Sequence, residues 1–288
     1  MTLRVYDGMR ELAPHFDGFI LDLWGVVHDG VRPYPGVLDC MARLIGAGKR
    51  LVLLSNAPRR TDDVMRRIAG IGVPPELYHA VMSSGEEAWQ RLHDRDEPFY
   101  AALGRRCLQI GSERDLEMRD GLALDFVESV AVADFILNTG PAEWDDTLDD
   151  YAPLLAEALA RDLPMVCANP DLVVMHGGEM ALCAGALAEH YESLGGRVRW
   201  HGKPYPSVYH SCFRLLGIAD RRRILAIGDS LRTDIAGAAA VGIPSLLVAG
   251  GVHAAEFCAA GKLDPQRVAA GLATAGLQPI GVALGFAW

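Results

Sequence analysis

No apolar run in this chain approaches the ~20 residues that a bilayer span needs. The longest, Ile20 to Val27 and Gly281 to Trp288, are short, and the first is interrupted by Asp22. A membrane partner is therefore not expected. The opening MTLRVYDGMRELAPHFDG has acids early and no apolar h-region, so no secretory signal is read and the cytoplasm is the expected compartment. Basic charge is in deficit, 27 Lys and Arg against 37 Asp and Glu for a formal net charge of −10, which leaves no footprint for a nucleic-acid backbone. There is no C-x-x-C pair. The six cysteines (Cys40, Cys107, Cys167, Cys183, Cys212, Cys258) stand singly and read as buried, reduced thiols rather than a zinc site or a disulfide frame. Lysine itself is scarce, with only Lys49, Lys203 and Lys262 among the 27 basic residues. In a chain that defaults to Arg, the lysine of the GKP turn at Lys203 suggests a use for its compact point charge.

Several chemical motifs are missing too. A G-x-G at Gly46-Ala47-Gly48 ends a helical pattern instead of opening one, the reverse of a dinucleotide-binding turn. No Gly-Lys pair is followed by Ser or Thr, so there is no Walker loop. Neither a G-x-S-x-G elbow nor an H-E-x-x-H zinc helix occurs.

What the chain does contain is an alternation of short apolar runs with amphipathic stretches. That pattern predicts an α/β protein with a doubly wound parallel-sheet core. GFILDLWGV, RLVLLSN, HAVMSS, RILAIGDS and PSLLVAG read as buried strands, and PGVLDCMARLIGAG as a helix ending on Gly. Ser55 and Lys203 stand 148 positions apart, far more than the ~30 residues of one crossover unit. The excess has its own alternation in CLQIGS, ADFILNTG, TLDDYAPLLAEALARDL, PMVCANPD and GEMALCAGALAEHYESLGG. An inserted smaller α/β domain is expected over residues 85–198, between core segments 1–84 and 199–288. The acids Glu143, Asp145, Asp146, Asp149 and Asp150 fit a solvated helix entrance.

Polar groups collect at the carboxyl ends of the predicted strands, where open α/β sheets bind ligands. Asp22 sits inside an apolar run, and a buried carboxylate needs a partner. Asp229 repeats the arrangement, with Asp234 at the next helix start. Ser55 and Asn56 close a third strand, and Lys203 follows VRWHG. Each of these alone has an ordinary explanation as an internal pair, a cap or a turn. Together they offer hard oxygen ligands suited to Mg²⁺, and a lysine and hydroxyl able to hold a phosphoryl group.

DLWGVVHDG, LLSNAPRR, GKPYPSVY and GDSLRTD resemble the four motifs of the haloacid dehalogenase-like (HAD) superfamily, along nearly the whole chain. The large insertion, with VMSSGEEAW at its start and ANPDLVV near its end, resembles the class IIA, NagD-like subfamily of sugar-phosphate, nucleotide and pyridoxal-phosphate phosphatases. The resemblance implies a Rossmann-like core with a cap domain, and a hydrolase of a small phosphorylated metabolite. It makes Asp22 the nucleophile that forms an aspartyl-phosphate. Ser55 and the Asn56 backbone would bind the phosphoryl oxygens, and Lys203 would neutralise charge. Asp22, Asp229 and the main-chain carbonyl of Trp24 would ligate Mg²⁺, with Asp234 in support. Asn169 and Asp171 of the cap are the expected substrate-binding residues, with His176 next.

One position departs from the family pattern. The general-acid aspartate two residues after the nucleophile is Trp24 here, and an indole N–H cannot exchange a proton usefully at neutral pH. His28 and Asp29 are candidate replacements or a plain turn pair. A catalytically impaired protein that binds a phosphorylated ligand is the alternative to an enzyme. The terminal VALGFAW can pack on its own core or on a neighbour's, which admits a homo-oligomer.

Overall fold

The computed structural model describes residues 3–176 and 179–288, and the side chain of His176, a candidate from the sequence, lies outside the described residues. The chain divides into two compact units. Residues up to Ser55, Met65–Met82 and Lys203–Trp288 form the first; Asn56–Val64 and Ser83–Gly202 form the second.

Strands β1 (Val5–Tyr6), β2 (Gly18–Asp22), β3 (Arg50–Ser55) and β4 (Ala80–Ser83) come first along the chain. The second unit contributes β5 (Arg106–Ile110), β6 (Asp125–Val127), β7 (Phe135–Asn138), β8 (Met165–Cys167), β9 (Val173–His176), β10 (Glu179–Leu182) and β11 (Val198–Trp200). The chain returns through β12 (Ile224–Gly228), β13 (Ser245–Val248), the two-residue β14 (Cys258–Ala259) and β15 (Lys262–Leu263), and β16 (Gly281–Ala283).

The main sheet of the first unit runs β1-β16-β13-β12-β2-β3-β4. The five strands expected from the sequence are the contiguous set from β13 to β4. Their apolar runs lack period-two alternation because both faces are covered, as in parallel sheets generally. Every residue of β2 is buried. On one face the helix Pro206–Leu216 packs Val208, Tyr209, Cys212 and Leu216 against Ile20, Val52 and Leu54. The helix Val37–Gly46 buries Val37, Cys40, Met41 and Leu44, an i, i+3, i+4, i+7 stripe. The sheet's far edge was not legible beforehand, since β1 and β16 are two and three residues long. The terminal run closes that edge within its own unit. Phe286 is buried, and the Met9 N–H donates to the Ala287 carbonyl at 2.7 Å.

The second unit has a five-stranded sheet of order β11-β8-β7-β5-β6, parallel throughout. Alternation along β7 sends Ile136 to a cluster with Leu155, Leu187 and Tyr191, and Phe135 and Leu137 to one with Ala88, Leu92 and Tyr100. Residues 56–64, placed with the core by sequence, belong to this unit. The Ser83 hydroxyl donates to the Arg59 carbonyl at 2.5 Å, the Ser84 hydroxyl to the Ala57 carbonyl at 3.1 Å, and Arg60 pairs with Glu86 at 2.8 Å. The acidic stretch is a helix entrance: Asp150 Oδ2 accepts the Thr147 N–H at 2.8 Å ahead of the helix Leu148–Ala160. The cysteines are free, with all but Cys258 buried. No helix among the described residues is long and apolar enough to cross a membrane.

Leu53, fully buried in β3, tests how much the main sheet depends on tight packing. Leu53→Ala is expected to lower stability by about 2–5 kcal/mol, read from the denaturant midpoint of unfolding.

Candidate active site

Parallel register brings the polar groups to one edge. Asp22 pairs with Leu54 of β3, so Ser55 lies one residue further along. Leu21 pairs with Ile227 of β12, which leaves Asp229 just beyond the strand end. After β12, the Ser230 hydroxyl caps a tight turn by accepting the Thr233 N–H, and Asp234 Oδ2 turns back to accept the Ser230 N–H at 3.1 Å. Lys203 enters ahead of the helix Pro206–Leu216 and is buried. Its ammonium donates to Asp22 Oδ1 and lies 2.8 Å from Asp234 Oδ1.

Oxygens of Asp22, Asp229 and Asp234 fall within 4.8 Å of one another, all three side chains being buried. Three carboxylates and one ammonium leave surplus negative charge in a dry place, an unfavourable arrangement without a cation. The carboxyl pKa values follow. Burial raises Asp22 well above the carboxylate range, with Asp234 and Asp229 adding to the rise and Lys203 opposing it. Burial, then Asp234, pushes Asp229 up to about 7. Burial works against the Lys203 charge, yet Asp22 and Asp234 outweigh it and hold its pKa well above the ordinary value. Hard oxygens, net negative charge and burial fit a divalent cation.

Two glycines the sequence did not single out for this role make room for Asp229. A Cβ on Gly25 would lie 1.9 Å from Asp229 Oδ2, and one on Gly251 would lie 2.0 Å away. Gly25 also has φ +87°, where a side chain is strained. Beside Gly251, the Val252 N–H donates to Asp229 Oδ2 at 2.6 Å.

In the loop after Asp22, His28 and Asp29 are both engaged in the turn. His28 Nδ1 accepts the Gly30 N–H at 2.9 Å, which puts the ring proton on Nε2, and burial pushes its pKa down. Asp29 Oδ1 accepts the N–H groups of Val31 and Arg32 at 2.9 Å each, and those backbone bonds hold its carboxyl below the usual range. Of the two readings of this pair, the geometry is that of the turn. Trp24 stands edge-on to the His28 ring at 5.7 Å.

Asn56, Asn169 and Asp171 meet in the second unit. Asn169 Oδ1 accepts the Asp171 N–H at 2.9 Å, and Asp171 Oδ1 accepts from Asn56 Nδ2 at 2.9 Å. The Asn56 side-chain amide is thus engaged with Asp171, whereas the family resemblance assigned the ligand to its backbone. A buried network went unpredicted: the Tyr100 hydroxyl is 2.6 Å from His201 Nε2, His201 Nδ1 is 3.3 Å from Glu87 Oε2, and Glu87 Oε2 accepts the Gly202 N–H at 3.0 Å. It fixes the backbone one residue before Lys203. In the sequence, Glu87 looks like any acid in a helix's first turn.

The chain is similar to known proteins in sequence and fold. A haloacid dehalogenase-like hydrolase family model matches residues 19–124, and a HAD-hydrolase-like model matches residues 200–275. The crystal structure of a haloacid dehalogenase-like hydrolase from Brucella suis is 33% identical, covers 98% of this chain and 99% of its own, and superposes with a TM-score of 0.84. D-glycerol 3-phosphate phosphatase of Mycobacterium tuberculosis is 27% identical over 86% of this chain and 67% of its own length. Ribonucleotide monophosphatase NagD of Escherichia coli is 25% identical over 82% of this chain and 89% of its own. Motifs, fold and relatives agree that the chain belongs to the haloacid dehalogenase-like hydrolases, in their class IIA, NagD-like branch.

Proposed function

We propose that this protein is a Mg²⁺-dependent hydrolase of a small phosphomonoester, working through a phosphorylated Asp22. The observation that supports it best is the buried Lys203 ammonium between Asp22 and Asp234 at the strand edge, with Asp229 completing the carboxylate cluster. Asp22, Asp229 and the Trp24 carbonyl would hold Mg²⁺, and Asp234 would hold Lys203 in place. Bound there, Mg²⁺ would neutralise charge on the phosphoryl oxygens and lower the carboxyl pKa values.

Asp22 attacks phosphorus as a carboxylate. Lys203, already beside it, meets the negative charge spread over the transferring group. The Ser55 hydroxyl and Asn56 N–H bind the remaining oxygens. The unit of residues 83–202 would serve as the cap, with Asn169 and Asp171 shaping its substrate-reading loop. Trp24 supports a second reading, a binding protein for a phosphorylated ligand, because no aspartate stands where the family places its proton donor.

With Mg²⁺ present, wild type is expected to release phosphate from a panel of monoesters. Asp22→Asn, which cannot form the acyl phosphate, should lose at least 10³-fold in kcat. Phosphate binding without release by wild type would favour the second reading. Asp229→Asn should raise the Mg²⁺ concentration needed for half-maximal rate by about tenfold or more, since a charged ligand becomes neutral.

The carboxyl cluster also predicts a pH-dependent metal effect on stability. Asp229 titrates near 3.9 when unfolded and at about 7 when folded without metal. Between those values the folded state keeps a proton that the unfolded state has lost, so this group's contribution to stability falls as pH rises. Mg²⁺ should therefore raise Tm more at pH 8 than at pH 5.5. In metal-free protein, Asp229→Asn should make the slope of stability from pH 4 to pH 7 less negative, as measured by denaturant titration.

A further inference from the structure

We propose that the Trp24 indole is the platform for an aromatic ring of the substrate, and that the ester cleaved is an aryl phosphate. The proposal rests on the reading of Asp22 as nucleophile. Its first support is the hydrogen bonding of the loop. His28 is buried with its Nδ1 committed to the Gly30 N–H, and Asp29 Oδ1 is committed to the N–H groups of Val31 and Arg32. With both side chains closing the turn and an indole at the family's acid position, no acid of this loop is set to protonate a departing alkoxide. A phenol, with a pKa near 10 like that of tyrosine, leaves as its anion far more readily than an alkyl hydroxyl, which is a much weaker acid.

The step balances without an acid. A lone pair of Asp22 forms the O–P bond as the aryl O–P bond breaks. Those electrons depart on the phenolate, which takes its proton from solvent. Water then attacks phosphorus, the P–O bond to Asp22 breaks to restore the carboxylate, and the proton of the water goes to solvent.

The second support is how the indole is seated. Trp24 follows Asp22 by two residues, at most about 7 Å of chain. Gly30, at φ +91°, lies against the indole so closely that a Cβ there would come within 2.4 Å of Trp24 Cη2. The His28 ring braces it from another side at an interplanar angle of 73°. Even so braced, Trp24 is 49% exposed, so a pre-ordered aromatic surface is left for a ligand two residues along the chain from the nucleophile. An aromatic pair of this kind contributes about a 2- to 10-fold preference beyond area burial.

Three esters separate the two supports: phenyl phosphate, benzyl phosphate, which keeps the ring but leaves as an alkoxide, and glycerol phosphate. Wild type should cleave phenyl phosphate at least 10²-fold faster than benzyl phosphate at saturation. KM for those two should be similar, and lower than for glycerol phosphate. Trp24→Leu should reduce the phenyl-over-glycerol ratio of kcat/KM by about 2- to 10-fold, and Trp24→Phe should retain most of it. Calorimetry gives a readout free of turnover: wild type should bind phenylphosphonate more tightly than methylphosphonate, and Trp24→Leu should not. Equal rates on phenyl and benzyl phosphate would overturn the leaving-group argument. An unchanged phosphonate preference in Trp24→Leu would overturn the platform. Failure to hydrolyse any ester, with Asp22→Asn behaving like wild type, would defeat the hydrolase reading itself and with it the aryl ester as substrate. Binding of the two phosphonates would still decide the platform.

Discussion

Lys203 buries its ammonium against Asp22 and Asp234, and each of the three side chains arrives on a different segment. Asp22 ends β2, Asp234 lies in the turn after β12, and Lys203 precedes a helix packed across the sheet. An isolated buried charge costs several kcal/mol, so these segments depend on one another. Removing any one carboxylate alters the balance on the others. Much of the surrounding backbone serves this cluster: Gly25 and Gly251 leave space for Asp229, and a Cβ on Gly228 would come within 2.1 Å of Asp234.

The loop from Leu23 to Pro33 shows the opposite allocation. Its polar side chains do not face a reaction; they close the turn. His28 and Asp29 take backbone N–H groups, and the loop's indole is left half exposed. On the proposed reading, the chain keeps the family's charge-handling residues and departs from it at the proton-handling position. Such a centre suits a substrate that can separate its own charge.

The second unit is tied to the sequence neighbours of the site residues. Asn56, next to Ser55, is held by Asp171, and Gly202, next to Lys203, is held by Glu87. Both ties lie within that unit, so its packing holds the residues that adjoin Ser55 and Lys203 in the chain. Glu87 and His201 are themselves buried, which makes the tie to Gly202 polar and directional rather than merely apolar.

Much of this was legible in the residues themselves. Asp22 and Asp229 stand out because a carboxylate inside an apolar run is costly unless paired. The strands from β13 to β4 are apparent because a two-faced parallel strand must be apolar throughout. The second sheet follows from the excess length between Ser55 and Lys203 and from its own alternation. Other features depend on what packs against a residue, which periodicity does not encode. Glu87 reads as a solvated helix acid until Gly202 and His201 cover it. The Asn56 amide looks available until Asp171 takes it. Strands β1 and β16 are too short to carry a pattern and exist because a neighbouring strand supplies their hydrogen bonds. The sequence determined which charges had to be buried; only the tertiary structure decided how they are shared, because pairing among Asp22, Asp229, Asp234 and Lys203 is set by distances between segments as many as 212 residues apart.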